Sequence, residues 1–417
     1  MPASASLGEL LSTIFERRPF GRIEDDSRAI EDLCQSLLSQ KNERSGLQVA
    51  AAALEHYRGL AQDQKLAFFH FLNSKFDLDR QHVVKLASTY AEDPSPRNYA
   101  ALTEGTESKR LTLLRRLNEP QGATGELVRM RADLLGFTKE NPELKRLDRD
   151  FVHLLKSWFN RGFLVLRQIN WDSPAAILEK VISYEAVHEI HTWDDLRRRL
   201  QPGDRRCFAF FHPAMPDEPL IFVEIALVSG IPNSVQELLS EERESVPEET
   251  TDTAVFYSIS NCQKGLAGIS FGNSLIKQVA RDLSRDLPNL KTFVTLSPLP
   301  GFSKWMENEG RPVDLADDAS LKQLAAHYLI NQKSRDGIPL DPVARFHLSN
   351  GAQVHAVHSA ADISENGVRQ SFGVMVNYLY DLKKISKNMQ QFDELGTISA
   401  SGPVKTLARQ ASKVLAD

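Results

Sequence analysis

The chain has 417 residues, of which 25% are charged, and its formal net charge is −5 at pH 7. This length exceeds what one hydrophobic core usually supports, so two domains are expected. The acidic balance argues against nucleic acid as a partner, because phosphate contacts need a net basic surface. The sequence contains no apolar run of about 18 residues, so we expect neither a transmembrane helix nor a membrane partner.

The sequence also predicts a cytoplasmic location. Its first six residues, MPASAS, lack the basic and long apolar regions of a secretory signal. Its last three residues, LAD, differ from the peroxisomal targeting signal Ser-Lys-Leu. Three cysteines, Cys34, Cys207 and Cys262, lie far apart and form no Cys-x-x-Cys pair, which suits a reducing compartment and suggests no metal site.

Residues 1–160 show helical periodicity and few strand signals. One apolar stripe repeats at the spacing of a single helix face: Ile30, Leu33, Cys34, Leu37 and Leu38. The histidines of this part have no partner at metal-ligand spacing. We therefore predict a helical N-terminal domain, 1–160, without a catalytic role.

From residue 161 onward, short apolar strands alternate with helices. The pattern predicts strands at 207–211, 220–228, 254–260, 292–297 and about 372–380. The expected fold is thus an all-helical domain followed by a second domain, 161–417, in which helices flank a mixed central sheet.

A loop with three glycines joins strand 254–260 to an amphipathic helix that starts near Leu275. Backbone N–H groups at a helix start attract anions, and glycine lets a pyrophosphate approach the main chain closely. Such loops serve dinucleotides, nucleoside triphosphates and coenzyme A. The spacing matches neither Gly-x-Gly-x-x-Gly nor Gly-x-x-x-x-Gly-Lys-Ser/Thr, so the dinucleotide and P-loop interpretations lack their motifs.

Two further residues could carry chemistry. Ser297 ends a predicted strand beside this loop, where substrates bind in open sheets, although a serine that caps its own backbone is an alternative. His347 is predicted near the C-terminal end of a short helix bounded by Asp341-Pro342 and Asn350-Gly351. The helix dipole there favours an imidazolium, as a proton donor requires, although a histidine that merely caps the helix is equally consistent.

Four blocks of the sequence, in this order, resemble the malonyl-CoA decarboxylase family. They are Phe256-Tyr257-Ser258-Ile259-Ser260, Gln263-Lys264-Gly265-Leu266-Ala267-Gly268, residues 296–305 (LSPLPGFSKW) and residues 346–352 (FHLSNGA). The loop is also similar to the acyl-CoA loop of the acetyltransferase-like (GNAT) fold, whose Gln/Arg-x-x-Gly-x-Gly/Ala pattern agrees here only at Gly272. The resemblance implies a GNAT-like catalytic domain with its acyl-CoA loop at 261–273.

The resemblance also implies a reaction and a set of site residues. Malonyl-CoA would be converted to acetyl-CoA and CO₂, with Ser297 as the catalytic serine and His347 as the proton donor. No cofactor is expected, because the thioester itself accepts the electrons that the carboxylate leaves behind. The implied substrate-binding residues are Ala267, Gly268, Ile269, Ser270, Phe271, Gly272, Asn273 and Ile276.

In the resembled family the helical domain contributes to subunit assembly, which implies a homo-oligomer here, with a tetramer as one candidate. Two other functions stay open at this point. One is an acyltransferase of the GNAT fold that passes an acetyl group to an amine. The other is a non-catalytic acyl-CoA sensor.

Overall fold

The computed structural model describes residues 26–269, 275–310, 317–335 and 337–414. The chain divides into two compact units. The first comprises Met1–Leu164, His212–Glu218 and Gln263–Ser270, and the second comprises Val165–Phe211, Pro219–Cys262 and Phe271–Asp417. A helical region followed by a mixed sheet with flanking helices confirms the predicted fold class.

Eight α-helices make up the described part of the first unit. They are α1 (Ile30–Ser39), α2 (Glu43–Gly59), α3 (Gln62–Lys75), α4 (Arg80–Glu92), α5 (Pro96–Gly105), α6 (Lys109–Leu117), α7 (Ala123–Phe137) and α8 (Lys145–Trp158). The predicted stripe on α1 is confirmed: Ile30, Leu33, Cys34 and Leu37 are buried, and Leu38 is half-buried. Helices α4 and α5 pack on each other, and no residue between 80 and 105 is buried.

An eight-stranded sheet forms the centre of the second unit. Its strands are β1 (Val165–Ile169), β2 (Arg205–Phe211), β3 (Ile221–Val228), β4 (Thr253–Asn261), β5 (Thr292–Thr295), β6 (Ser297–Pro298), β7 (Gln353–His358) and β8 (Met375–Leu379). The spatial order is β1-β2-β3-β4-β5-β8-β6, with β7 paired to β8. Only the β4–β5 pair is parallel among the described strand pairs.

The helices of the second unit lie between these strands in the sequence. They are α9 (Ala175–Tyr184), α10 (Trp193–Leu200), α11 (Val235–Leu239), α12 (Leu275–Asp286), α13 (Phe302–Asn308), α14 (Asp318–Asn331), α15 (Pro342–Ser349), α16 (Glu365–Ser371), α17 (Ile385–Leu395) and α18 (Gly402–Val414). Helix α12 buries the apolar face that the sequence predicted, including Leu275, Val279 and Leu283. No helix of the described chain is both long and apolar enough to cross a membrane.

The strand predicted at 292–297 is wrong as one continuous element. β5 pairs with β4 as far as Thr295 and with β8 at Val294, after which only the pairing with β8 continues, through Ser297 and Pro298. Proline has no backbone N–H group, and it therefore cannot extend a ladder on both sides. The other predicted strands overlap β2, β3, β4 and β8, with ends that differ by at most three residues.

Candidate active site

A small cavity opens where β4 and β5 separate. Their parallel register ends at the pair Phe256 and Thr295, and the Leu296 N–H still donates to the Phe256 carbonyl over 3.1 Å. Beyond this point β4 continues to Asn261, while the other segment keeps only its pairing with β8. The space between them has a volume of about 260 Å³, and we call it the small cavity.

The lining of the small cavity is mostly apolar. Its described residues are Val187, Phe256, Tyr257, Ile259, Asn261, Ser297, Pro298, Pro342, Val343, Phe346 and His347. None of these side chains is a lysine, arginine, aspartate or glutamate. A carboxylate bound there would therefore lose much of its hydration without meeting an opposite charge in the described wall.

The structure brings the two predicted catalytic residues together. The Ser297 Oγ and His347 Nε2 atoms are 3.1 Å apart, within hydrogen-bond distance, although 50 residues separate them in the sequence. Ser297 Oγ also donates to Thr295 Oγ1 over 2.8 Å, and His347 Nδ1 lies 2.8 Å from the Tyr380 hydroxyl. Thr295, Ser297, His347 and Tyr380 thus form one continuous hydrogen-bonded chain.

Helix α15 positions His347 by the local signals that the sequence predicted. Asp341 is the N-cap, and its Oδ1 accepts hydrogen bonds from Val343 N and Ala344 N over 2.9 Å each. Pro342 occupies the first turn, Asn350 is the C-cap, and Gly351 follows with φ of +83°, which favours glycine. The second carboxylate oxygen of Asp341 accepts from Gly301 N over 3.1 Å, which ties the helix start to the loop after β6.

The predicted imidazolium at His347 is wrong for the protein without ligand. Burial lowers the pKa of His347 from 6.5 to about 3, because desolvation penalises the charged ring. The side chain is only 2% exposed, and its ring stacks on that of Tyr378 with centroids 4.4 Å apart. The dipole of a two-turn helix does not offset this desolvation, so the imidazole is neutral at pH 7.

The neutral ring fits its partners in one arrangement without an unpaired hydrogen. Burial raises the pKa of Tyr380 well above its usual value, so the phenol keeps its hydrogen and can donate to His347 Nδ1. His347 Nε2–H then donates to Ser297 Oγ, and the Ser297 hydroxyl donates to Thr295 Oγ1. Each hydroxyl and ring hydrogen of these three donors has an acceptor.

Thr295 and Tyr380 are site residues that the sequence analysis missed. Thr295 Oγ1 also accepts from Tyr378 N over 3.3 Å, and the Thr295 carbonyl accepts from Asn377 Nδ2 over 2.9 Å. Thr295 is therefore locked to β8 on one side and to Ser297 on the other. A threonine or tyrosine inside an apolar strand gives no local signal, because only the fold brings it to His347.

The predicted acyl-CoA loop is described in part. Ala267 and Gly268 are exposed, Ile269 is 8% exposed, and all three belong to the first unit. Four further predicted residues lie outside the described residues: Ser270, Phe271, Gly272 and Asn273. Ile276 lies in the first turn of α12 and is 1% exposed, so its side chain is part of the core of the second unit.

Arg131 on α7 holds the described part of this loop within the first unit, and the sequence analysis missed it as well. Its Nη1 donates to the carbonyls of Gly265 and Ala267 over 2.6 and 2.9 Å, and its Nε donates to Asp148 over 2.8 Å. The loop also approaches α7 closely, since a Cβ atom at Gly265 would lie 1.8 Å from the Val128 carbonyl oxygen. Glycine at 265 is thus a steric requirement.

The described residues contain no group of three or more histidine, cysteine, aspartate or glutamate side chains placed to hold a metal ion. His358, one of the two histidines spaced three apart on β7, has Nε2 at 2.5 Å from Asn377 Oδ1. This contact gives that histidine a structural partner next to the strand that carries Tyr378.

Comparison with known proteins identifies the family of this chain. The family model described as the malonyl-CoA decarboxylase C-terminal domain matches residues 162–319 and 313–417, and the model of the N-terminal domain matches residues 76–159. A relative from Anser anser anser, "Malonyl-CoA decarboxylase, mitochondrial", is 32% identical, over 87% of this chain and 83% of the relative.

Solved structures give the same result. The crystal structure of malonyl-CoA decarboxylase from Rhodopseudomonas palustris is 46% identical with a TM-score of 0.85, and covers 90% of this chain and 98% of its own. That of malonyl-CoA decarboxylase from Cupriavidus metallidurans is 34% identical with a TM-score of 0.71, and covers 91% and 98%. Since the family models together match more than half of its residues, the chain belongs to the malonyl-CoA decarboxylase family.

Proposed function

We propose that the protein decarboxylates malonyl-CoA to acetyl-CoA and CO₂, with Ser297 and His347 as its catalytic residues. The observation that carries the proposal is the Ser297–His347 hydrogen bond on the wall of a small cavity whose described lining has no charged side chain. Membership of the family indicates the substrate class, and the uncharged lining of the cavity gives a physical reason why CO₂ would leave.

In the proposed reaction, the bond between C2 and the carboxylate carbon breaks. Its electron pair moves into the thioester and forms an enolate, CO₂ departs, and C2 receives one proton. The substrate carboxylate carries a localised charge, whereas the transition state spreads that charge over the enolate. An apolar cavity destabilises the localised charge more strongly and so favours decarboxylation.

His347 would supply the proton. Without a bound substrate the imidazole is neutral, because burial lowers its pKa. A bound malonyl carboxylate would raise that pKa, because a nearby negative charge favours the charged ring. The Tyr380 hydroxyl can donate to Nδ1 of the neutral ring or accept from Nδ1–H of the charged ring, so it can support both states.

Ser297 would assist this transfer. The Ser297 Oγ atom lies 2.8 Å from Thr295 Oγ1 and 3.1 Å from His347 Nε2, and Ser297 lines the small cavity. The contact orients the imidazole toward the cavity. It would also give the proton a path from Nε2 through the Ser297 hydroxyl to a substrate carbon in the small cavity.

We propose that the reaction needs no added cofactor, because the thioester carbonyl is its own electron acceptor. The coenzyme A part would be bound by the predicted loop, Ala267 to Asn273, and by the start of α12 at Ile276. The hydrogen bonds from Arg131 to the Gly265 and Ala267 carbonyls support this role, since they fix the described half of the loop.

We further propose that residues 1–160 form an assembly domain and residues 161–417 the catalytic domain, in a homo-oligomer that could be a tetramer. The exposed surface of α4 and α5 supports a second copy of this chain as the partner. Val84 and Tyr99 are 65% and 59% exposed there. Apolar side chains on a helix pair without buried residues are typical of a surface covered by another subunit.

A cytoplasmic location is the last part of the proposal. Cys34, Cys207 and Cys262 are buried and form no disulfide bond, which suits a reducing compartment. The goose relative carries the word mitochondrial in its name. Localisation of the full-length protein in its own cell would decide between the two compartments.

The first prediction concerns turnover. Purified protein given malonyl-CoA alone, with EDTA and without an amine, should release CO₂ and form acetyl-CoA in equal amounts, as measured by mass spectrometry. Ser297→Ala and His347→Ala should each lower kcat by about 10²-fold or more, because a positioned general acid contributes that much. Binding of coenzyme A should change little in either variant.

Each rival function predicts a different outcome of this assay. Turnover that requires an amine and retains the acyl carbon count would favour the acyltransferase. Tight binding of malonyl-CoA without any product would favour the sensor. Normal rates in both variants would eliminate Ser297 and His347 as catalytic residues.

The second prediction compares two tyrosines that contact the same imidazole. Tyr380→Phe removes the hydroxyl bonded to Nδ1 and should lower kcat about tenfold, equivalent to about 1.4 kcal/mol. Tyr378→Phe is the matched control, because its ring stacks on His347 while its hydroxyl has no partner among the described residues. Equal losses in steady-state kcat for the two variants would contradict a specific role for the Tyr380 hydroxyl.

The third prediction concerns stability against pH. The unfolded chain takes up a proton on His347 below pH 6.5, whereas the folded protein does so only near pH 3. This histidine therefore makes folding stability fall with decreasing pH across that window, by up to about 1.4 kcal/mol per pH unit. His347→Gln should flatten the fall in the free energy of unfolding between pH 6.5 and 4, measured by urea denaturation.

The control for this experiment is His82→Gln, which removes an exposed histidine from α4. Solvent already hydrates that side chain in the folded protein, so the wild-type pH dependence should persist. A wild-type slope in His347→Gln as well would mean that His347 is not neutral in the folded protein.

The fourth prediction concerns assembly. Val84→Glu places a charge on the exposed apolar surface of α4 and should shift the protein to a smaller species in light scattering after gel filtration. Gln81→Glu is the control, since it adds the same charge at an exposed polar position of that helix. A monomeric wild type, or an unchanged mass in Val84→Glu, would refute this interface.

A further inference from the structure

A second and larger cavity adjoins the small one in the same unit. Its volume is about 1020 Å³, and we call it the large cavity. The segment 182–191 contributes to its wall, together with residues of α11 and the segment 362–369. The lining is markedly polar and includes Glu185, Arg199, Asp362 and Arg369. The two cavities thus offer different surroundings to a ligand: one apolar and small, the other polar and roomy.

Val187 separates the two cavities. Among the described residues it is the only one that lines both. Its neighbour His188 lines the large cavity, and the His188 ring centroid lies 6.4 Å from that of Tyr257, which lines the small cavity. The buried Nε2 of His188 has no hydrogen-bond partner among the described residues. At this point, therefore, only about one side chain separates the large cavity from the small cavity.

A network of hydrogen bonds fixes the backbone of Val187. Glu185 Oε1 accepts from Val187 N over 2.9 Å and from His188 N over 2.8 Å. The same carboxylate accepts from Ser258 Oγ at 2.7 Å, and its other oxygen accepts from Ser260 Oγ at 3.2 Å. Because both serines lie on β4, the segment with Val187 is tied to a strand that also lines the small cavity.

We infer that Val187 is a specificity-determining residue, which limits the substituent that C2 of the malonyl group can carry. The inference rests on the proposed function: Ser297 and His347 line the small cavity, so the carbon that receives their proton lies there with its substituents. An alkyl group on C2 would meet the wall of this cavity. Where Val187 forms that wall, the large cavity lies on the other side of it.

A smaller side chain at this position joins the two cavities and admits 2-alkylmalonyl thioesters. Their decarboxylation breaks and forms the same bonds as the decarboxylation of malonyl-CoA. The bond from C2 to the carboxylate carbon breaks, CO₂ leaves, and the enolate takes one proton at C2 to give the longer acyl-CoA. In an apolar pocket, each methylene that is accommodated or rejected changes kcat/KM by roughly 10- to 200-fold.

The experiment compares kcat/KM for ethylmalonyl-CoA and malonyl-CoA in four proteins: wild type, Val187→Ala, Val187→Thr and Val343→Ala. Val187→Ala should raise the ratio by about tenfold or more. Val187→Thr keeps the shape of the partition and should keep the wild-type ratio. Val343→Ala removes the same two methyl groups from a wall that the large cavity does not share, and should raise the ratio less.

The ratio is insensitive to a partial loss of folded protein, because both substrates are measured on one preparation. A ratio in Val187→Ala no higher than in Val343→Ala would overturn the inference. Failure of the wild type to release CO₂ from malonyl-CoA would instead overturn the proposed function. The relative affinity of the two thioesters, measured by calorimetry on the same variants, would then still decide the role of Val187.

Discussion

The separation of β4 from β5 is the constraint on which the site depends. While the two strands stay paired, up to Phe256 and Thr295, backbone hydrogen bonds fill the space between them. Beyond that pair the segment keeps only its pairing with β8, which leaves the small cavity beside β4 and holds Ser297 against β8, next to the strand end that leads to Tyr380. The end of the pairing with β4 thus creates both the cavity and the hydrogen-bonded chain beside it.

Desolvation, rather than the helix dipole, decides the charge of His347. A helix C-terminus stabilises an imidazolium by up to about 2 kcal/mol, whereas a fall of the pKa from 6.5 to about 3 corresponds to a penalty on the order of 5 kcal/mol. The resting site is therefore neutral, and an anionic substrate is what could charge it. In the proposed reaction, such an arrangement couples the proton donor to the presence of the group that must leave, which a permanently charged histidine would not do.

Local patterns in the sequence predicted local structure well. The helix around His347 has the cap at Asp341 and the stop at Asn350 that residue types alone indicated, and β4 extends the predicted strand by one residue at each end. What the sequence could not predict are partners far along the chain: Tyr380 lies 33 residues after His347, and Arg131 lies 134 residues before Gly265. Such contacts depend on the register of the sheet and the packing of helices, for which a single sequence carries no periodic signal.

A charged side chain supports the small cavity from outside its described lining. Glu185 accepts hydrogen bonds from two serine hydroxyls and two backbone N–H groups, and so positions Val187 without lining the small cavity itself. A cation in the cavity wall would stabilise the substrate carboxylate and raise the barrier to CO₂ loss. Placing the Glu185 carboxylate outside the lining therefore holds the backbone of Val187 and keeps charged side chains out of the described wall.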